Sequence, residues 1–220
     1  MRMLSVFSIL FCALLPAVAA AASPQDFPDV PPNSPFYEAV HYVQSQGIVS
    51  GYPDGNFLPD RFINRAEFTK IVIGATFTPQ AWQRCDPNHI YSFSDAGRNE
   101  WYSPYLCVAV QSAIINGYPN GSFMPSLGIT FVEAAKILVS ADRIDEGGNI
   151  RYDRSLPQVD GEWYAPFVKY LANRGAIPLV IGSLDQNITR TQMAEMIYRL
   201  RTGITDRPSR TLEDLPITWR

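Results

Sequence analysis

A segment of 22 residues that recurs 66 positions later without a gap constrains this chain more than any other feature. GIVSGYPDGNFLPDRFINRAEF, from Gly47 to Phe68, aligns with AIINGYPNGSFMPSLGITFVEA, from Ala113 to Ala134. A shortened third copy, GAIPLVIGSLDQNITRTQM, runs from Gly175 to Met193. Each copy lies between two helix-patterned stretches, so the chain reads as three versions of one helix–turn–helix unit. Units this small rarely hold a core alone, which predicts a mainly α domain in which the three pack on each other.

The first helix of each unit carries apolar groups at i, i+4 and i+7: Phe36, Val40 and Val43, then Tyr102, Leu106 and Ala109, then Tyr164, Val168 and Leu171. That spacing is one helical stripe, and its simplest role is core. Gly47, Ala113 and Gly175 follow where the helix should stop. Tyr52-Pro53-Asp54-Gly55 and Tyr118-Pro119-Asn120-Gly121 then read as tight turns, with Pro presetting the second position and glycine supplying left-handed geometry. A calcium loop needs more acidic positions than these turns offer.

The second helix opens on a capping box in every unit: Asn64 with Glu67, Thr130 with Glu133, and Thr189 with Gln192. Phe68, Ile71 and Val72, then Ala134, Ile137 and Leu138, then Met193, Met196 and Ile197 form the buried face behind it. Arg65 and Arg190 directly follow two of these caps, where the helix dipole disfavours a cation. A solvated arginine there costs little. The alternative is that unpaired helix amides and a guanidinium together capture an anion.

Residues 1–22 read as a secretory leader: Arg2, an apolar run from Leu4 to Leu15, and small residues from Ala17 to Ala22. The run is short for a membrane span, and Phe11 before Cys12 does not suit a lipoprotein signal, so the expected product is exported, with no transmembrane segment and no lipid anchor. It would hold 198 residues with 17 basic and 21 acidic side chains, a balance that argues against nucleic acid. Cys85 and Cys107 are left as a pair, and the sequence does not decide between a disulfide and two thiols. Cys85, His89 and Cys107 lack a fourth ligand and a C-x-x-C pair, which speaks against zinc. No cofactor is implied.

The residues from FPDV at Phe27 through FYEAVHYVQSQGIVSGYPDGNFLPDRFINRAEF resemble an S-layer homology repeat, whose pattern joins F-x-D, an aromatic helix start, GI-x-GY-x-DG-x-F-x-P and I-T-R-A-E-F. The first repeat (23–77) and the second (92–145) carry it strongly and the third (153–204) in degenerate form, with a tail at 205–220. The resemblance implies a pseudo-threefold helical bundle with ligand grooves between repeats. It also implies non-covalent attachment to an anionic cell-wall polysaccharide, often pyruvylated, or to a peptidoglycan-linked glycan, at the surface of the cell envelope.

Carried over residue by residue, the resemblance makes Arg65 and Arg190 anion contacts, Trp101 and Trp163 sugar platforms, and Gly51 and Gly117 points of close saccharide approach. Each has a plainer reading, since a Trp starting an amphipathic helix is often core or edge. Asp29 and Asp95 of F-x-D are expected to close turns or cap helices. The departures are Phe131-Val132 for Arg-Ala in the second repeat, Pro35 for Trp in the first, and the missing YPDG turn and Gln192 in the third. At most two grooves therefore keep the anion chemistry.

The leading expectation is a non-catalytic anchoring module. The alternative is a structural or assembly protein that binds S-layer or other envelope proteins, which an exposed Phe131 would favour. A wall hydrolase is disfavoured, because His41 and His89 lack a nucleophile motif and no carboxylate pair stands apart from caps and turns. Thr78–Tyr91 and Asp142–Ser155 read as polar linkers, and the tail is left as either flexible or draped over the bundle.

Overall fold

The computed structural model describes residues 26–86, 93–144, 149, 151 and 154–218; the expected leader at 1–22 lies outside the described residues. Seven helices follow in order: α1 Tyr37–Ser45, α2 Arg65–Thr76, α3 Pro79–Arg84, α4 Ser103–Gln111, α5 Phe131–Asp142, α6 Ala165–Ala172 and α7 Arg190–Thr202. Isolated bridges join some loops, and the described residues form no strand. The predicted stripes are core: Val40, Val43, Leu106, Ala109, Val168 and Leu171 are buried, as are all nine residues expected behind the caps.

The main helix–helix contacts run between repeats. α2 packs on α4, α5 on α6, and α7 on α1, so each repeat lays its second helix against the first helix of the next, and the third returns to the first. The connectors follow the same order. Ile63 N–H donates to the Ile188 carbonyl, Ile188 N–H to that of Ile129, and Ile129 N–H to that of Ile63, at 3.0–3.1 Å. All three side chains are fully buried. A closed circuit of main-chain bonds at the centre leaves no donor or acceptor there without a partner.

The second-helix N-termini are held by this arrangement. The first two amides of α2 donate to the carbonyls of Leu127 and Pro125, those of α5 to Gln186 and Leu184, and those of α7 to Arg61 and Pro59. The capping box takes the next amide in α2 and α7: Glu67 N–H donates to Asn64 Oδ1 and Gln192 N–H to Thr189 Oγ1. In α5 the Glu133 carboxylate accepts both the Thr130 amide and its hydroxyl. The expectation of free helix amides beside Arg65 and Arg190 is therefore corrected: a neighbouring repeat's loop has already bonded them.

The turns form as predicted, with Gly55 N–H donating to the Tyr52 carbonyl and Gly121 N–H to that of Tyr118, both at 2.9 Å and with left-handed glycines. Ala113 adopts φ 54° where the other two repeats place glycine. The first linker differs from expectation, because Thr78–Tyr91 contains α3. Trp82 of that helix packs against Tyr105, and Cys85 at its end is disulfide-bonded to Cys107 of α4. A disulfide closing a loop of this size contributes about 3 kcal/mol. It also consumes both thiols of the zinc trio considered above; His89 lies outside the described residues.

Candidate functional site: grooves between repeats

Each groove draws on three repeats: the turn and second helix of one, the first residue of the preceding repeat's second helix, and the residue at the head of the next repeat's first helix. The turn is fixed from beneath by F-x-D. Asp29 accepts the amides of Phe57 and Leu58, and Asp95 those of Phe123 and Met124, at 2.7–2.9 Å. These carboxylates are structural, as expected. A Cβ on Gly51 or Gly117 would lie 2.4 or 2.3 Å from the Phe27 or Phe93 ring, so packing alone requires glycine at both positions. Gly117 also borders the second groove.

The second groove is open, with a cavity of about 590 Å³ bounded by Arg65, Tyr118, Leu127, Glu133, Lys136 and Trp163. Arg65 is only 5% exposed. Its Nε donates to the Phe123 carbonyl at 2.8 Å, its guanidinium lies 4.5 Å from the Tyr118 ring centre, and Nη1 is 3.5 Å from Glu133. Tyr118 donates its hydroxyl to Glu133. Trp163 is 52% exposed, with Lys136 Nζ 5.7 Å from its ring centre. At that exposure Trp163 is not a core residue.

The electrostatics follow from burial. Lys136 has a lowered pKa because burial disfavours its charge and Arg65 repels it. Tyr118 is pushed up by burial and then by its bond to Glu133, which keeps it a neutral donor. The groove thus sets two close cations against one carboxylate that several donors already hold. An incoming anion would relieve the repulsion between Arg65 and Lys136.

The first groove repeats these parts. Arg190, also 5% exposed, donates from Nε to the Phe57 carbonyl at 2.7 Å and stacks 4.7 Å from the Tyr52 ring centre. Lys70 Nζ is 5.7 Å from the ring centre of Trp101, which is as exposed as Trp163. Arg190 Nη2 is buried without a hydrogen-bond partner. Burial lowers the pKa of Arg190; Tyr52 and Glu67 oppose the shift and Arg61 adds to it. The guanidinium remains charged at any physiological pH. The reading of these arginines as solvated helix residues is corrected, since both are buried ties to a neighbouring repeat.

The third groove has lost this chemistry. Phe131 stands at the arginine position and is fully buried, Pro35 stands at the Trp position, and Glu195 replaces the lysine. Glu195 is 2% exposed and pairs with Arg199 at 2.9 Å and Arg207 at 3.1 Å. Arg207 also reaches Glu38 at the start of α1. Beyond it the tail covers the shortened loop. Arg210 N–H donates to the Ile177 carbonyl, Leu184 N–H donates to that of Pro216, and Leu215 is buried. Of the two tail conformations left open by sequence, the draped one is formed.

Sequence reasoning therefore located Arg65, Arg190, Trp101 and Trp163 and missed Lys70, Lys136, Tyr52 and Tyr118 as groove residues. The signal was present, because both pairs recur at the same 66-residue offset as the motif. Among the described residues no group of three or more His, Cys, Asp or Glu could hold a metal ion. His41 stacks on Tyr37 and does not line the second-groove cavity.

Residues 26–69 and 92–135 match the S-layer homology domain. The third repeat lies outside the matched segments. The chain is also similar to a surface layer protein of Brevibacillus choshinensis, 30% identical over 138 residues, covering 62% of this chain and 12% of that protein. S-layer protein EA1 of Bacillus anthracis is 27% identical over 179 residues, 80% of this chain and 20% of that protein. An uncharacterized cell wall amidase of Bacillus anthracis is 30% identical over 161 residues, 70% of this chain and 27% of the amidase. The chain thus spans 12–27% of the length of these relatives. These similarities indicate a secreted, cell-surface protein. No helix among the described residues is long and apolar enough to cross a membrane.

Proposed function

We propose that the chain is a non-catalytic module that anchors at the cell envelope by gripping an anionic wall polysaccharide, a pyruvylated one foremost, in the grooves between its repeats. The observation that carries this reading is the second groove, where Arg65, Lys136 and an exposed Trp163 converge on one cavity. Two cations recognise a carboxylate, and an indole face beside them suits a sugar ring. The first groove offers Arg190, Lys70 and Trp101 in the same roles. The cyclic order of contacts supports the pseudo-threefold arrangement that such grooves require.

The assembly-protein alternative drew on exposure of Phe131, and that side chain is buried. Sedimentation of the protein with native cell walls, before and after mild acid removal of ketals, tests the glycan reading. Lys136→Ala and Trp163→Ala are the informative variants, because their contact with each other is a cation–ring pair at 5.7 Å, whereas Arg65 is hydrogen-bonded into the neighbouring repeat. Binding should fall with each variant and with ketal removal. Equal binding throughout would make an envelope protein the preferred partner.

A further inference from the structure

The first and second grooves share their arginine, tyrosine, lysine, glutamate and tryptophan at matching positions and differ in charge at one point on the rim. Arg61 stands where the second groove has Leu127. Its guanidinium donates to the Tyr52 hydroxyl at 2.6 Å and makes a two-pronged contact with Glu67 at 2.9 and 3.1 Å. The counterparts of those two partners, Tyr118 and Glu133, bond directly to each other and wall the open cavity. A long cation therefore bridges the same two walls in the first groove. In the second, Leu127 lies at the edge, 48% exposed, and leaves the space free.

The second consequence concerns the buried arginine. Glu133 remains within 3.5 Å of Arg65, whereas Glu67 is committed to Arg61, and Arg190 is left with a buried Nη2 that has no partner. The first groove thus holds the larger positive charge and the poorer access. A ligand anion entering it must first displace Arg61 from Glu67, a charge-assisted contact that is partly open to solvent. The second groove demands no such rearrangement, and a preorganised site keeps more of its interaction energy as affinity.

Resting on the glycan reading above, we propose that Arg61 is the residue that makes the two grooves unequal: it latches the first groove, so the second fills first and the first opens only when a ligand anion displaces the latch. The expected difference in affinity is about tenfold.

The test is a titration of the protein with a methyl hexopyranoside bearing a pyruvyl ketal, followed through the indole N–H resonances of Trp101 and Trp163. In the wild type the Trp163 signal should saturate at about a tenth of the ligand concentration that Trp101 requires. Arg61→Leu, which copies the second groove, should bring the Trp101 curve onto that of Trp163. Arg61→Ala should do the same without an added side chain, and Leu127→Arg should weaken the Trp163 response. Coincident wild-type curves, or a gap that survives both Arg61 substitutions, would overturn the latch while leaving the glycan reading intact. Silence from both indoles in every protein would instead remove the glycan reading, and the latch with it.

Discussion

The second and third grooves occupy equivalent places between successive repeats, yet one is an open cavity lined by cations and in the other Arg207 of the chain's own tail pairs with Glu195. The difference traces to three positions. Arg65, Lys136 and Trp163 serve the second groove, and Phe131, Glu195 and Pro35 stand at the same points of the third. Reversing the charge at the helix position, from Lys136 to Glu195, turns a cationic wall into one that holds Arg207. The scaffold fixes where a groove lies; a few side chains decide whether it stays open or takes up a side chain of the same polypeptide.

The severest way to break this comparison is Glu195→Lys, which gives the third groove the charge of the second. It would bury a lysine between Arg199 and Arg207, and the expected loss is about 3–5 kcal/mol, read by denaturant unfolding. Hydrogen exchange at Arg210 and Leu184 should quicken in parallel, because both amides depend on the docked tail. Unchanged stability with unchanged protection would mean that Glu195 does not hold the tail.

Arg65→Ala comes next. It leaves the buried Phe123 carbonyl without its donor and removes the stack on Tyr118, so a loss of about 1–3 kcal/mol is expected alongside weaker wall binding. A purely functional arginine would lower binding without moving the unfolding midpoint.

Lys136→Met separates the two effects. Its charge is already disfavoured by burial and by Arg65, so stability should hold while wall binding falls about tenfold. The same depressed pKa fixes the sign of a pH effect. On the proposed anion contact only the protonated amine attracts the ligand, so affinity should decline as pH rises and Lys136 loses its proton, earlier than an ordinary lysine would. A pH profile in Lys136→Met as steep as in the wild type would assign the effect elsewhere.

The smallest effect concerns a turn that differs between repeats. Ala113 is held at φ 54°, and Ala113→Gly should stabilise by about 1 kcal/mol, since glycine enters this region without steric cost. The matching change of Gly47 to Ala should destabilise by a similar amount.

Much of the fold was legible because its signals are local. Apolar spacing, the capping boxes at Asn64, Thr130 and Thr189, and the two Asp-Gly or Asn-Gly turns each act within a few residues and carry their own chemistry. The pairing of α2 with α4 and of α7 with α1 was not legible, since an apolar stripe does not name its partner. Nor were the bonds from α2, α5 and α7 amides to neighbouring loops, because backbone carbonyls leave no trace in side-chain type. The site was half legible. Arg65 and Arg190 stood out against the helix dipole, whereas nothing local singles out Lys70 and Lys136, which gain a groove position only from the fold that sets Trp101 and Trp163 beside them.

The circuit of Ile63, Ile188 and Ile129 also bears on how such a protein can grow. In a linear stack of repeats, the last unit always presents a surface that the next copy can take, and evolution lengthens the array one unit at a time. Here the last unit has already found the first, and every central donor is matched. A duplicated fourth copy would have no vacant edge to join, so it would have to pry the circle apart or begin a separate one. Added binding capacity would therefore arrive as whole new trios or as changes at groove walls, never as one more link.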